Sequence, residues 1–243
     1  MRTTQRWSKI TLSVAILALG ISVLMPGYAG AQEGQASDSA KKESATKTDG
    51  KTAEQKPAEA RAAKTKPEVA VDPAAPYKHV TFAKGEKPRV VMETTMGKMV
   101  LELWPDVAPK HCQSFVHLVG KHYYDSVSFH RIIAGFVIQG GDPQGTGSGG
   151  PGYTVPAEFS DTLKHDLGIL SMARTPDPNS AGSQFFICLS RERTKSLDKQ
   201  YTIFGKVVEG LDVVGAMGKV QTSTGDKPVT PVRMTKVYME KKS

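Results

Sequence analysis

"SQFFICLS", Ser183–Ser190, is a short apolar run that reads as one strand of a sheet. Successive side chains of a strand face opposite ways. Phe185, Ile187 and Leu189 therefore point to one side, and Gln184, Phe186 and Cys188 to the other. A small barrel fills its interior with side chains, which assigns the first set to the inside and leaves Gln184 and Phe186 outside. In "FVIQGG", Phe136–Gly141, the same rule separates Phe136 and Ile138 from Val137 and Gln139. Two strands thus each carry a glutamine beside an apolar residue on a single face.

Strand signals continue outward on both sides. "RVVMETTMGKMVLELW", Arg89–Trp104, is two β-rich runs about Met96-Gly97 and predicts a hairpin. "VSFHRII", "LGILSMAR", "YTIFGKVV" and "VRMTKVYM" follow, separated by Gly, Pro, Asp and Asn turns. Two helices are expected. One covers about Ala108 to Val119, with Asp106 near its start, Pro109 in its first turn and Gly120 behind its end; the other covers about Leu211 to Met217. About eight strands and two helices predict a mainly β domain, a closed eight-stranded antiparallel barrel whose open ends the helices cap.

The rest of the 243-residue chain is organised differently. Arg2, Arg6 and Lys9 precede an uncharged, largely apolar run over residues 10–25, and Ala29-Gly30-Ala31 supplies small residues for cleavage. Residues 1–31 are expected to be a secretory signal peptide. An uncleaved membrane tether is the alternative, although the run is shorter than the ~20 residues that span a bilayer. Residues 32–86 are rich in Ala, Lys and Glu, and as far as about Pro76 they hold no aromatic residue; such a segment buries too little apolar surface to fold and is expected to be a disordered tether. The folded domain is then 87–243, with a periplasmic or extracellular location. Three of the eight net positive charges leave with the signal. The remainder form no clustered basic stripe, so no nucleic-acid partner is expected. No stable membrane insertion is expected after cleavage.

Seven glycines fall within residues 140–152, and Gly145, Gly147 and Gly150 have the G-x-G-x-x-G spacing of nucleotide-binding loops. Such a loop must open a helix whose N–H groups meet the phosphates. Pro151, Gly152 and Pro156 follow instead, so a nucleotide-dependent enzyme is a poor reading. There is no G-x-S-x-G, no cysteine with an evident histidine partner and no metal-ligand spacing among the six histidines. No metal or cofactor is expected. Cys112 and Cys188 are expected to be buried free thiols. What remains for chemistry is an arginine, glutamines and aromatics, a set suited to peptide recognition or to a reaction that breaks no covalent bond.

"FHRIIAGFVIQGGD" (Phe129–Asp142), "GILSMAR" (Gly168–Arg174), "NSAGSQFFICLS" (Asn179–Ser190) and "LDKQYTIFGKVVEGLDVV" (Leu197–Val214) resemble the cyclophilin family of peptidyl-prolyl cis-trans isomerases, in an exported, bacterial-like form. The resemblance covers residues 88–241. It implies an eight-stranded barrel with two capping helices and catalysis of rotation about the peptide bond before proline, with assistance to the folding of exported proteins. By resemblance Arg131 is the catalytic donor, Phe136, Phe186 and Leu197 form the proline pocket, and Val137 is its floor. Gln139 and Gln184 position Arg131 and the substrate backbone, Ala173 and the backbone of Arg174 grip the residue before proline, Gly147 lies near the substrate, and Tyr201 walls the pocket. His130 is read as packing. Four residues depart from common family members: Val137 stands for Met, Arg174 for Asn, Tyr201 for His, and Ser196 for the Trp of cyclosporin-sensitive forms. The expected partners are proline-containing polypeptides, bound by a monomer. The alternative is a proline-peptide binding module or holdase with little turnover.

Overall fold

The computed structural model describes residues 72–241. The expected signal peptide, and the expected tether as far as residue 71, lie outside the described residues. Eight strands form one antiparallel sheet: β1 (Arg89–Thr94), β2 (Gly97–Leu103), β3 (Arg131–Ile133), β4 (Val137–Gly140), β5 (Ile169–Met172), β6 (Phe185–Cys188), β7 (Ile203–Glu209) and β8 (Met234–Met239). Their order across the sheet is β3-β4-β6-β5-β7-β2-β1-β8. The predicted β1–β2 hairpin forms, turning at Thr95-Met96 with Thr94 opposite Gly97, one residue ahead of the expected Met96-Gly97.

The sheet curls but its ladder does not close, which corrects the expected closed barrel. Near the two edges, β3 and β8, the chain meets at the isolated Ser128–Arg233 bridge, flanked by Phe129 N–H to Val232 O (2.9 Å) and Met234 N–H to Val127 O (2.8 Å). Beyond that bridge no further pairing forms among the described residues; on β3 the Ile132 N–H goes instead to Asp226 O at 2.8 Å.

Alternation then sorts the side chains. Phe185, Ile187 and Ile138 enter the core inside the curl, together with Met92, Met99, Leu101, Leu170 and Phe204. Phe186, Cys188 and Val137 lie on the outer face with Ile169 and Ile203. The inner core is organised by rings: Phe115 and Phe185 meet edge-on at 5.6 Å, and Phe185 touches Tyr124 and Phe129 in the same manner. The two cysteines occupy opposite faces of the sheet, and both are free. Desolvation pushes both thiols up, that of Cys188 to about 12.

Helix α1 (Pro109–Gly120) places Cys112, Phe115, Leu118 and Val119 in the inner core. Its first N–H groups are capped not by Asp106 but by Glu158, which accepts from Lys110 N and His111 N at 3.1 Å each. The expected pair of helices is exceeded by a short α2 (Arg191–Thr194) ahead of α3 (Leu211–Met217), and 3-10 turns span Pro76–His79 and Lys195–Leu197. The first of those turns also moves the folded boundary: Ala75 and Tyr77 are buried against Val155 and Tyr153, so the chain joins the domain before residue 87. Among the described residues no helix is long and apolar enough to cross a membrane.

The glycine-rich loop after β4 wraps an anion, and the anion is the chain's own. The buried Asp142 carboxylate accepts from Gln144 N (2.8 Å), Thr146 N (2.9 Å), Gly147 N (2.7 Å), Gly149 N (3.1 Å) and Thr146 Oγ1 (3.2 Å). A Cβ at residue 149 would collide with this carboxylate, and Gly147 takes φ +86°, so both positions require glycine. Burial works to raise the Asp142 pKa, but the N–H groups of Gly149, Gln144 and Gly147 and the Thr146 hydroxyl outweigh it and hold the carboxyl at about 2.

Two stability outcomes follow. Phe185→Ala removes a ring from the inner core and is expected to cost about 3–5 kcal/mol in urea unfolding. Asp142→Asn loses charge-assisted bonds and is expected to cost on the order of 2 kcal/mol at neutral pH. Because the folded pKa of Asp142 lies below the ordinary ~4 of a free carboxylate, its contribution is complete above that pH and disappears as pH falls through about 2. The wild type should therefore lose its stability advantage over Asp142→Asn across that window; an undiminished difference at pH 2 would refute the assignment.

Candidate functional site

The site is a row across three strands. In the β3–β4 ladder Arg131 lies opposite Gln139, and in the β4–β6 ladder Gln139 lies opposite Phe186. Directly opposed residues share a face, so all three project outward from the sheet. They line a cavity of ≈ 230 Å³ together with Phe136, Val137, Ala173, Arg174, Leu197 and Tyr201. Phe136 is here although period-2 counting placed it on the inner side with Ile138. It precedes β4, in a turn closed by its N–H to Ile133 O (2.9 Å), and strand alternation does not reach it.

A second depression of ≈ 650 Å³ shares Gln139, Ala173 and Arg174 with the first, and Gly147 and Gln184 lie on it. Gln184 donates from Nε2 to Gly147 O and Gly149 O, both at 2.9 Å, and so holds the rim of the glycine loop. Gln139 donates to Gln184 Oε1 at 3.0 Å. The carboxylate contact to Arg131 comes from elsewhere: Arg131 Nε donates to Asp226 Oδ2 at 3.2 Å. His130 is buried under the rim, near Gly147, and desolvation lowers its pKa, as suits a packed neutral ring.

The apolar floor is braced from behind. The His165 ring stacks on Phe186 at 6.1 Å, and Phe186 meets Tyr201 edge-on at 5.7 Å. His165 bonds through Nδ1 to Asp198 (3.0 Å) and through Nε2 to Ser171 Oγ (3.1 Å), and Ser171 donates on to Thr202 O (2.9 Å). Arg191 clamps the same carboxylate in bidentate fashion at 3.0 and 2.6 Å, which holds the Asp198 carboxyl well below the usual carboxylate range. Asp198 follows Leu197 directly, so this network fixes the turn that presents Leu197 to the cavity.

Arg174 does not reach for a ligand with its side chain. Its guanidinium donates to Gln200 O from Nε (3.0 Å) and Nη2 (2.9 Å) and to Thr175 O from Nη1 (2.8 Å), and it lies over the Tyr201 ring at 4.6 Å. It ties two loops into one wall. Asp198, His165 and Asp226 were not singled out from the sequence; Asp226 and Asp198 sit in turn contexts that favour aspartate for local reasons. Among the described residues no group of three or more His, Cys, Asp or Glu could hold a metal ion. The cavity offers the half-exposed guanidinium of Arg131 beside an apolar floor, with the Arg174 guanidinium tied back to main-chain carbonyls, a carboxamide alongside and no nucleophile and base pair directed into it.

Residues 89–239 match the model of the family described as cyclophilin type peptidyl-prolyl cis-trans isomerase/CLD. Peptidyl-prolyl cis-trans isomerase-like 1 of Gibberella zeae is 48% identical over 151 residues, covering 60% of this chain and 91% of that protein. The Homo sapiens protein of the same name is 45% identical over 158 residues, covering 63% and 93%. A Cryptosporidium parvum cyclophilin type isomerase of known crystal structure superposes with TM-score 0.62 at 35% identity, covering 65% of this chain and all of that one. The same parasite isomerase in the presence of the dipeptide Ala-Pro gives TM-score 0.60 at 36% identity, covering 63% and 99%. These relatives are eukaryotic, so the comparison lends no support to the bacterial-like form expected from the sequence. What it does establish, with the fold and the cavity above, is that the chain belongs to the cyclophilin family and is a peptidyl-prolyl cis-trans isomerase.

Proposed function

We propose that the cavity binds the proline of an Xaa-Pro segment and that Arg131 catalyses rotation by donating a hydrogen bond to the prolyl nitrogen. The amide barrier is ~18–20 kcal/mol because resonance gives the C–N bond partial double-bond character. Twisting the bond returns the lone pair to nitrogen, which then accepts a hydrogen bond that the planar ground state cannot use. A donor fixed in advance therefore binds the transition state in preference to either ground state. The observation that carries this reading is the row of Arg131, Gln139 and Phe186 across β3, β4 and β6, which sets one cation at the edge of an apolar hollow.

Phe136, Val137, Phe186 and Leu197 receive the ring. Ala173, Gly147 and the main chain at Arg174 border the path of the preceding residues along the adjoining depression, with Gln139 and Gln184 beside them. The presence of Ala-Pro with a relative of the same fold agrees with proline peptides as the ligand class. A holdase would need the hollow but not the guanidinium, and the exposed Arg131 at its edge favours turnover. In the cell the enzyme would be exported and would speed the folding of exported polypeptides, whose uncatalysed prolyl isomerisation takes tens to hundreds of seconds. The basic residues Arg2, Arg6 and Lys9, the apolar run and Ala29-Gly30-Ala31 support that route.

Arg131→Ala is expected to lower kcat/KM on an Ala-Pro peptide by on the order of 10²–10³-fold, the usual loss for a single transition-state donor. NMR exchange spectroscopy measures it, and a fully active variant would remove Arg131 from the mechanism. Phe186→Ala should instead act chiefly through a raised KM. Mass spectrometry of the mature chain should find its N-terminus at Gln32; a chain beginning earlier would contradict the processing proposed.

A further inference from the structure

Arg131 stands on β3, an edge strand of three residues, and its aliphatic stem must be held if the guanidinium is to meet one nitrogen reproducibly. Gln139 is its neighbour in the ladder, but the hydrogen bond of that carboxamide goes to Gln184. The group that reaches Arg131 is Asp226, 95 residues further along, through Oδ2 to Nε. Asp226 is itself fixed. It lies in a tight turn closed by the Thr222–Pro228 bridge, with Ser223 N donating to Lys227 O (2.8 Å) and Asp226 N to Ser223 O (3.1 Å). Its φ of +62° is a left-handed conformation that Asp and Asn adopt more readily than other side-chain-bearing residues. Its carbonyl accepts from Ile132 N at 2.8 Å, so the turn is anchored to β3 one residue beyond Arg131.

We infer that Asp226 is the positioning residue for Arg131. The guanidinium is a planar fork of five N–H donors. A carboxylate on Nε sets the plane of the fork and leaves the Nη donors available to substrate. Because the donor is then oriented before the bond twists, the gain belongs to the transition state and appears in kcat. This inference rests on the reading of Arg131 as the catalytic donor. The pair is about half exposed, with side-chain exposures of 43% and 42%, so its influence is modest and sensitive to salt.

Asp226→Gly keeps the positive φ and the main-chain acceptor while removing the carboxylate, and Asp226→Asn keeps the shape while removing the charge. By exchange spectroscopy on an Ala-Pro peptide, Asp226→Gly is expected to lower kcat by about two- to fivefold, the range of a partly exposed ion pair, with KM unchanged. Asp226→Asn should fall between the two. Raising salt should lower kcat of the wild type and leave Asp226→Gly flat. A structural role alone would lower the melting temperature and raise KM without this salt dependence, and that result would overturn the inference. Wild-type kcat in Asp226→Gly, with Arg131→Ala inactive, would overturn it too while leaving Arg131 as the donor. Full activity in Arg131→Ala would reject the reading beneath both.

Discussion

The outward row of Arg131, Gln139 and Phe186 exists only because the β3–β4–β6 register is held, and that register is held by what points the other way. Phe185, Ile187, Ile138 and Ile132 fill the inner core from the same three strands. A slip of one residue would carry Phe185 onto the outer face and Phe186 into a space built for Phe115, Tyr124 and Phe129. Core packing therefore fixes the site more firmly than any contact within the site. The outer face needs its own cover, and the apolar residues around Val137, Phe186 and Cys188 receive it from Trp104, Leu163, Leu197 and Tyr201. The cavity is the part of that outer face left uncovered.

A different constraint shapes the neighbouring groove. Successive backbone N–H groups that converge form an anion-binding concavity, and the loop from Asp142 to Gly149 is one. Its glycine spacing imitates a phosphate cradle because the local problem is the same: bring several N–H groups to one negative centre. Here the anion is covalently part of the loop. The consequence for function is a rim whose main chain is tied down by Asp142 on one side and by the Gln184 amide on the other. A peptide laid along it would meet a prepared edge rather than a loop that must order on binding.

The strands, the first hairpin to within a residue, the outward Phe186 and Gln184, and the buried thiols were legible because each depends on a strand period of two, a helical period of 3.6 or local turn chemistry. Other features were not. Phe136 lies one residue outside its strand, where alternation ceases to apply. The open edge at β3 is met by the turn carrying Asp226, which reaches it only in three dimensions. Tyr77 was assigned to a tether because the segment before it is polar, yet a single aromatic with Val155 and Tyr153 to pack against anchors the turn at Pro76–His79. Asp198 and Glu158 act on partners 33 and 47 residues distant, His165 and His111, and nothing in their own neighbourhoods marks them. The residues singled out by the family motifs are the ones the fold gathers at the cavity and the adjoining depression, whereas the residues that brace them carry no such mark in the sequence.

The open edge bears on the chemistry. An edge strand leaves main-chain N–H and C=O groups unpaired, which is a liability unless something covers them. At β3 the cover is the turn carrying Asp226, whose carbonyl takes the Ile132 N–H and whose carboxylate takes Arg131 Nε. Had the ladder run on from Ser128–Arg233, the main chain of the 228–231 segment would lie against β3 in place of that turn. That turn meets the unpaired edge and the arginine beside it with a single residue. On the role proposed for Arg131, the residue that covers the open edge of β3 is also the one that orients the guanidinium.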